Sequence, residues 1–347
     1  MRRHRRSRAL VGALSAVLFL GAFRFSGFND PQARAAAASA TTWIDGQQLP
    51  DGSFEVAGFA GFETPDAVLA IAENAQTTKA WNTATALSAV QAVKRNGHSG
   101  LHALDNLVDA GVDAGQAAKI VVLDAKPLGL SASAFNPDGD AKSANLTSII
   151  KAGAQPDGSY GSFNATLYAA IALRLLTGGV PQSTLTYIRA AQQANGGWNY
   201  AGDPSGTDLD IDTTGLAIQA FVAAKVPPRD TAFRAALTFL ADQQRASGAW
   251  QAFGSDDPNS TSVAVLAITA TGYDPTVKCW RHAVDPGLDG NPYVSPIVWL
   301  RGQQQPDGHI ASPNDGFGVN TFASSQSVEA LRRGWLPVRP FVKQACS

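Results

Sequence analysis

Apolar positions recur along this chain in one register, repeated five times. Trp43-Ile44 precedes Gln48 and Gly52, Ile149-Ile150 precedes Ala154 and Gly158, and Tyr187-Ile188 precedes Gln192 and Gly196. Phe239-Leu240 precedes Gln244 and Gly248, and Trp299-Leu300 precedes Gln304 and Gly308. Two residues after each Gly stands Phe54, Tyr160, Trp198, Trp250 or Ile310. This is the pattern of a helix that ends. The apolar pair anchors its last turns, the Gln amide is placed to reach exposed backbone groups, and Gly supplies a positive φ for the turn. The residue after Gly packs back on the element.

Between these segments lie stretches of a second kind, rich in Ala, Leu, Ile and Val. They start near Asp66, Asp113, Asn164, Asp212, Ser260 and Thr321. Each is apolar around much of its circumference, which predicts buried helices, and Ala lets such helices approach closely. More amphipathic partners precede them near 41–48, 81–110, 144–153, 181–193, 229–244 and 291–303. Residues 81–95 and 101–110 read as one helix or two. Almost no strand-like alternation is left over, so the fold class is all-α. Six helix pairs at near-constant period predict a closed ring, because the last copy keeps the aromatic template where an open solenoid would carry a polar cap. The ring forms one domain over about 39–347, with a tail from residue 334 able to seal it.

The N-terminus changes the setting. Residues 2–8 are basic, 9–23 almost wholly apolar, and a small-residue stretch runs from Ala33 to Ala40. This order is that of a secretory signal over 1–38, with an uncleaved anchor as the alternative. Fifteen apolar residues are short for a spanning helix, which needs about 20. The expected location is secreted or at the extracytoplasmic cell surface. In an oxidising compartment the two cysteines, Cys279 and Cys346, are expected to pair. The net charge of −1 hides an asymmetry: the first 38 residues hold seven Arg and one acid, so the body carries 20 basic and 27 acidic residues. An acidic body argues against a nucleic-acid partner. His98, His102, His282 and His309 are scattered without ligand spacing, so no metal site is expected. No phosphate loop, nucleophile elbow or cofactor motif appears.

The Gln-xxx-Gly-x-Trp copies at Gln192 and Gln244 resemble the QW repeats of squalene and hopene cyclases, within the wider prenyltransferase and squalene-cyclase repeat group. The resemblance covers nearly the entire body and implies an (α/α)6 toroid, in which inner helices ring a central cavity. Protein prenyltransferase β subunits and intrinsic-factor-type cobalamin carriers use the same toroid, so fold alone does not settle function. Class II cyclases protonate an alkene with the middle Asp of an Asp-x-Asp-Asp motif. Asp210-Ile-Asp212-Thr-Thr is similar to a variant of it, which would make Asp212 the acid and Asp210 its polarising neighbour.

Thr213 replaces the last Asp of that motif, and the body has room for one toroid where class II cyclases build their cavity between two α domains. Asp212-Thr-Thr also sits where Asn164-Ala-Thr and Asn259-Ser-Thr start other inner helices, which reads as an N-cap. On that reading Asp212→Asn is silent. The resulting expectation is a non-catalytic toroid that binds an apolar or isoprenoid-like small molecule or a cell-envelope partner. The turns supply its mouth, with Trp198, Tyr200, Trp250, Phe253 and Phe317 as apolar contacts and Asp208 beside them. A class II terpene cyclase using Asp210 and Asp212 is the alternative, and a structural cell-surface repeat module is the third reading. A filled ring centre would favour the last of these.

Overall fold

The computed structural model describes residues 30–56, 59–78, 80–227, 229–288, 291–314, 318–333 and Pro337. The segment read as a signal, apart from residues 30–38, lies outside them, as do Phe317 and Cys346.

Six inner helices carry the ring: α2 (Thr64–Asn74), α5 (Ala114–Ile120, continued by a π-helical turn over Val121–Ala125), α7 (Phe163–Thr177), α9 (Ile211–Ala223), α11 (Pro258–Ala270) and α14 (Thr321–Arg332). Each packs against the next, and α14 packs against α2, so the ring closes. The outer layer is α1 (Pro31–Gln47), the pair α3 (Thr83–Ala92) and α4 (Gly100–Ala110), then α6 (Leu146–Ala152), α8 (Gln182–Ala190), α10 (Thr231–Gln243) and α13 (Pro296–Gly302). Residues 81–110 therefore form two helices. A two-stranded hairpin, β1 (Lys94–Arg95) and β2 (His98–Ser99), separates them, turned by Asn96-Gly97 with both residues at positive φ. A second hairpin, β3 (Trp250–Ala252) and β4 (Ser255–Asp257), leads into α11, and a short helix α12 (Cys279–Val284) packs on α10. The pattern of apolar positions gives no sign of α12.

The first helix begins at Pro31, ahead of residue 39 where the sequence reading starts the body. Asp30 caps α1 by accepting from the Gln32 and Ala33 amides. Ala33, Ala36 and Ala37, read as part of a cleavage region, are buried, on a helix that packs against α14. Small side chains there serve close helix approach.

The turn chemistry is that of the repeats. The Nε2 of Gln48, Gln192, Gln244 and Gln304 donates to the carbonyl of Gly52, Gly196, Gly248 and Gly308 at 3.0, 2.7, 3.1 and 2.9 Å. The same amide reaches the next outer element: Gln192 donates to the Ala232 carbonyl at 2.8 Å, and Gln304 to the Ala36 carbonyl at 2.9 Å. The last bond ties the final repeat to the first. Each turn Gly also presses on that neighbour. A Cβ at Gly196 would lie 2.5 Å from the Ala235 oxygen, and one at Gly308 would lie 2.7 Å from the Ser39 oxygen.

A second repeated bond runs inward. Hydroxyls of Thr64, Thr166, Thr214, Thr261 and Ser324 accept from the backbone N–H of Phe54, Tyr160, Trp198, Trp250 and Ile310 at 2.9–3.0 Å. It fixes the rotation of these five inner helices about their axes. Residues two and five positions beyond the hydroxyl then share one face. That face lines the ring's centre.

Gly308 and Gly302 make a controlled pair. Gly308 sits at φ +102° against the Ser39 backbone, whereas Gly302 ends α13 with open space where a Cβ would go. Gly308→Ala is expected to lose about 2–4 kcal/mol of stability through strain and overlap at the ring seam. Gly302→Ala is expected to be neutral or stabilising by up to about 1 kcal/mol. Denaturant melts of both variants check this.

Candidate active site

The ring's centre is open, which excludes the filled core that a purely structural module requires. A cavity of about 1180 Å³ runs into it. That lies above the usual range of about 300–1,000 Å³ for small-molecule pockets. Its wall follows the inward face. Two positions past the hydroxyl stand Asp66, Tyr168, Leu216, Val263 and Gln326, and five past it Leu69, Ile171, Gln219, Leu266 and Glu329. Lys119 and Val122 occupy the same positions on α5, where Ala117 replaces the hydroxyl.

Asp210 and Asp212 both line the cavity, in roles different from those expected. Asp210, not Asp212, caps α9. Its Oδ1 accepts from the Thr213 amide at 2.9 Å and its Oδ2 from the Thr213 hydroxyl at 2.8 Å. The capping reading of Asp212 is thereby corrected. Thr213, which departs from the cyclase motif, is the residue that engages both oxygens of the cap. Asp212 is the second residue of the helix. Its Oδ1 is buried and makes no hydrogen bond. Burial pushes its carboxyl up to about 7, the charges of Asp210 and Asp257 push the same way, and a hydrogen bond with Ser260 on α11 pulls back. An acid held protonated near neutrality, facing an apolar-walled cavity, has the property a proton donor needs.

The opposite wall carries a polar group that no sequence motif marks. Lys119 pairs with Asp66 at 2.7 Å and donates to the Phe62 carbonyl at 2.6 Å. Its ammonium lies 5.3 Å from the Phe62 ring centroid and 5.8 Å from that of Phe322. Gln326 joins by donating to Asp66 at 3.3 Å. Burial, with Asp66 and Glu73 near, drives the Glu329 carboxyl well above its usual range. Burial and Asp66 do the same to Asp124, which sits on the π-helical turn of α5. Tyr168 stands between the walls: burial raises its phenol far above the usual value, with Asp66, Glu329 and Asp212 adding. The sequence does hold a signal for this wall. Aligning the inner helices on their hydroxyls puts these polar residues at inward positions of otherwise apolar helices.

Of the expected contacts, Tyr200, Asp208 and Phe253 line the cavity. Trp198 and Trp250 do not, and their assignment as ligand contacts is corrected. Both are fully buried, and their indole N–H groups donate back to the Ile188 and Leu240 carbonyls of the preceding outer helices at 2.7 and 2.8 Å. They tie each turn back to its own outer helix. The mouth is instead rimmed by exposed apolar groups: Phe59, Phe62, Tyr200, Leu209 and Phe253. Phe253 is 94% exposed and adopts φ +48° beside Gly254 at +84°. A tight hairpin of this kind favours Asn at that position, so an exposed Phe there is held against backbone preference.

The geometry generates tests at both residues. An acid that keeps its proton in the fold lowers stability as pH rises from its unfolded value near 3.8 to its folded value of about 7. At about 1.4 kcal/mol per pH unit, the effect of Asp212 reaches up to about 4 kcal/mol at pH 7 and above. Asp212→Asn is therefore expected to raise the melting temperature at pH 8 and leave it near wild type at pH 4. Phe253→Asn is expected to leave stability equal or slightly higher, by less than about 1 kcal/mol, while weakening retention of a long apolar ligand, as read by equilibrium dialysis.

Comparison with known proteins came from structure alone: no family model and no curated sequence matches this chain. Type II terpene cyclase MstE from Scytonema, without ligand, superposes with a TM-score of 0.58 at 14% identity, over 87% of this chain and 97% of that one. A variant of MstE in complex with merosterolic acid A, its product, gives 0.58 at 15% identity over 90% and 99%. Another, in complex with the substrate geranylgeranyl dihydroxybenzoate, gives 0.59 at 14% over 90% and 99%. These matches overturn the size argument against catalysis, because a single ring spans nearly the whole of a type II cyclase. The expectation of a non-catalytic binder is corrected accordingly. The chain has the α/α toroid fold of the type II terpene cyclases.

Proposed function

We propose that this protein is an isoprenoid cyclase that starts its reaction by protonating an alkene with Asp212. The observation that carries the reading is the Asp212 carboxyl: buried, unpaired at Oδ1 and raised to about 7 at the wall of a large cavity. The chemistry balances within the substrate. The Asp212 O–H bond breaks and a C–H bond forms at one alkene carbon, leaving positive charge on its neighbour. The next double bond attacks that centre and closes a ring. A carbon beside the final cation then gives up a proton to water and Asp212 regains one from solvent, so the product is isomeric with the substrate and no redox partner is consumed.

The surroundings support each stage. Asp210 and Asp257 hold negative charge near the carboxylate that forms, which raises its basicity and keeps the proton on until an alkene is in place. Aromatic faces of Phe62, Tyr168 and Phe322 line the space, and ring quadrupoles attract a delocalised cation. Export is part of the proposal, and rests on the basic and apolar order of the first 23 residues.

Incubation of the purified protein with squalene and with C15–C20 prenyl alcohols, followed by mass spectrometry, tests the proposal. Wild type is expected to give a cyclic isomer, with activity falling as pH rises through about 7 because the donor must be protonated. Asp212→Asn is expected to lose at least about a hundredfold in rate with the fold intact. Glu329 supplies the control, as a second acid on the wall that burial drives towards its protonated form. Cyclisation surviving Asp212→Asn but lost in Glu329→Gln would move the donor role to α14.

A further inference from the structure

We infer that the cavity selects an isoprenoid with an uncharged head, a hydrocarbon, alcohol or phenol, and rejects prenyl diphosphates and prenyl carboxylates. The inference rests on the cyclase reading of the same cavity and adds the substrate's charge class to it. It comes from the charges on the wall. Six carboxyl groups line the cavity, those of Asp66, Asp113, Asp208, Asp210, Asp212 and Glu329. Among the described lining residues Lys119 is the single Lys or Arg. Even with Asp212 and Glu329 set aside, because burial favours their protonated forms, four carboxyl groups face one ammonium.

That ammonium is already engaged. It pairs with Asp66, donates to the Phe62 carbonyl and sits over two aromatic rings. The other natural anion sites of an all-α cavity are helix N-termini, and those along this wall are occupied by the chain's own side chains. Asp113 accepts from the Gln116 amide on α5, Ser162 from the Ala165 amide on α7, and Asp210 from the Thr213 amide on α9. At the start of α2 the Glu55 carboxylate accepts from four consecutive amides, Gly61 to Thr64. An anionic head entering here would meet like charge, with the lining ammonium and these helix starts already taken.

Binding to the Asp212→Asn variant, which holds ligand without turning it over, separates this inference from the proposed reaction. Three probes share one tail: geranylgeraniol, geranylgeranoic acid and geranylgeranyl diphosphate. Equilibrium dialysis at low salt is expected to show the alcohol binding at least about tenfold more tightly than either anion, with the gap narrowing as salt rises. Asp66→Asn releases Lys119 and is expected to tighten binding of the acid at least about fivefold, with little change for the alcohol. Asp208→Asn removes a carboxyl at the mouth without touching that ion pair, and is expected to narrow the gap in the same direction. Equal or tighter binding of the acid or the diphosphate to the cavity, or no binding of the alcohol, would overturn the inference. Absence of cyclic product from wild type with the binding order intact would instead count against the proposed reaction alone.

Discussion

One amide holds this ring together. In four of the turns a Gln side chain donates to the carbonyl of its own turn Gly. In the copies at Gln192 and Gln304 the same nitrogen also reaches a carbonyl of the next outer helix, and Gln304 does so across the seam to Ala36. The Gly beside it must be Gly twice over. Its φ is positive, and a Cβ would press on the neighbour's backbone. Repeats joined this way meet at a fixed angle, and the five turn glycines set five such contacts around the ring. The second copy, with Ala154 in place of Gln, keeps only the glycine contact, Gly158 against the backbone of Ser183 and Thr184.

Closure has a consequence for chemistry. Inner helices, five of the six pinned by one hydroxyl bond, present the same two positions to the centre, and the centre is too wide for their side chains to fill. Apolar residues take most of these positions, so the polar ones are costly to bury and are drawn together. Lys119 lies against Asp66, while Asp212 lies near Asp210, Asp257 and Ser260 and is pushed towards its protonated form chiefly by burial. The seam between α14 and α2 is polar as well. Glu63 accepts from the Thr321 hydroxyl at 2.6 Å and from its amide at 3.2 Å. The position of the inner ends of these helices, and with them Asp66 and Glu329, is set by that contact.

Much of this fold is legible in the sequence. The turns can be read because Gly and Gln act locally, through φ and through an amide that reaches only a few residues. The inner helices can be read because their Ala content admits close packing. Sequence misleads where two like residues compete for one role. Asp210 and Asp212 are two apart, either is a good cap, and only the exit of the chain from its loop decides that Asp210 takes the Thr213 amide. Trp198 and Trp250 suggest ligand contacts because aromatic side chains suit a cavity; their indole N–H groups instead find helix carbonyls ten residues back. The Lys119 wall is hidden because its members come from α2, α5, α7 and α14, and no local spacing joins them. The small residues from Ala33 to Ala37 match a cleavage pattern for the same reason that they pack well in α1.

The central claim is that the fold lifts the Asp212 titration from the ordinary carboxyl range to near neutrality. Carbon-13 NMR of labelled aspartate carboxyls, with the Asp212 signal assigned by its loss in Asp212→Asn, reads this without any substrate. A titration midpoint near 7 is the predicted result. A signal already fully ionised at pH 5 would contradict the account.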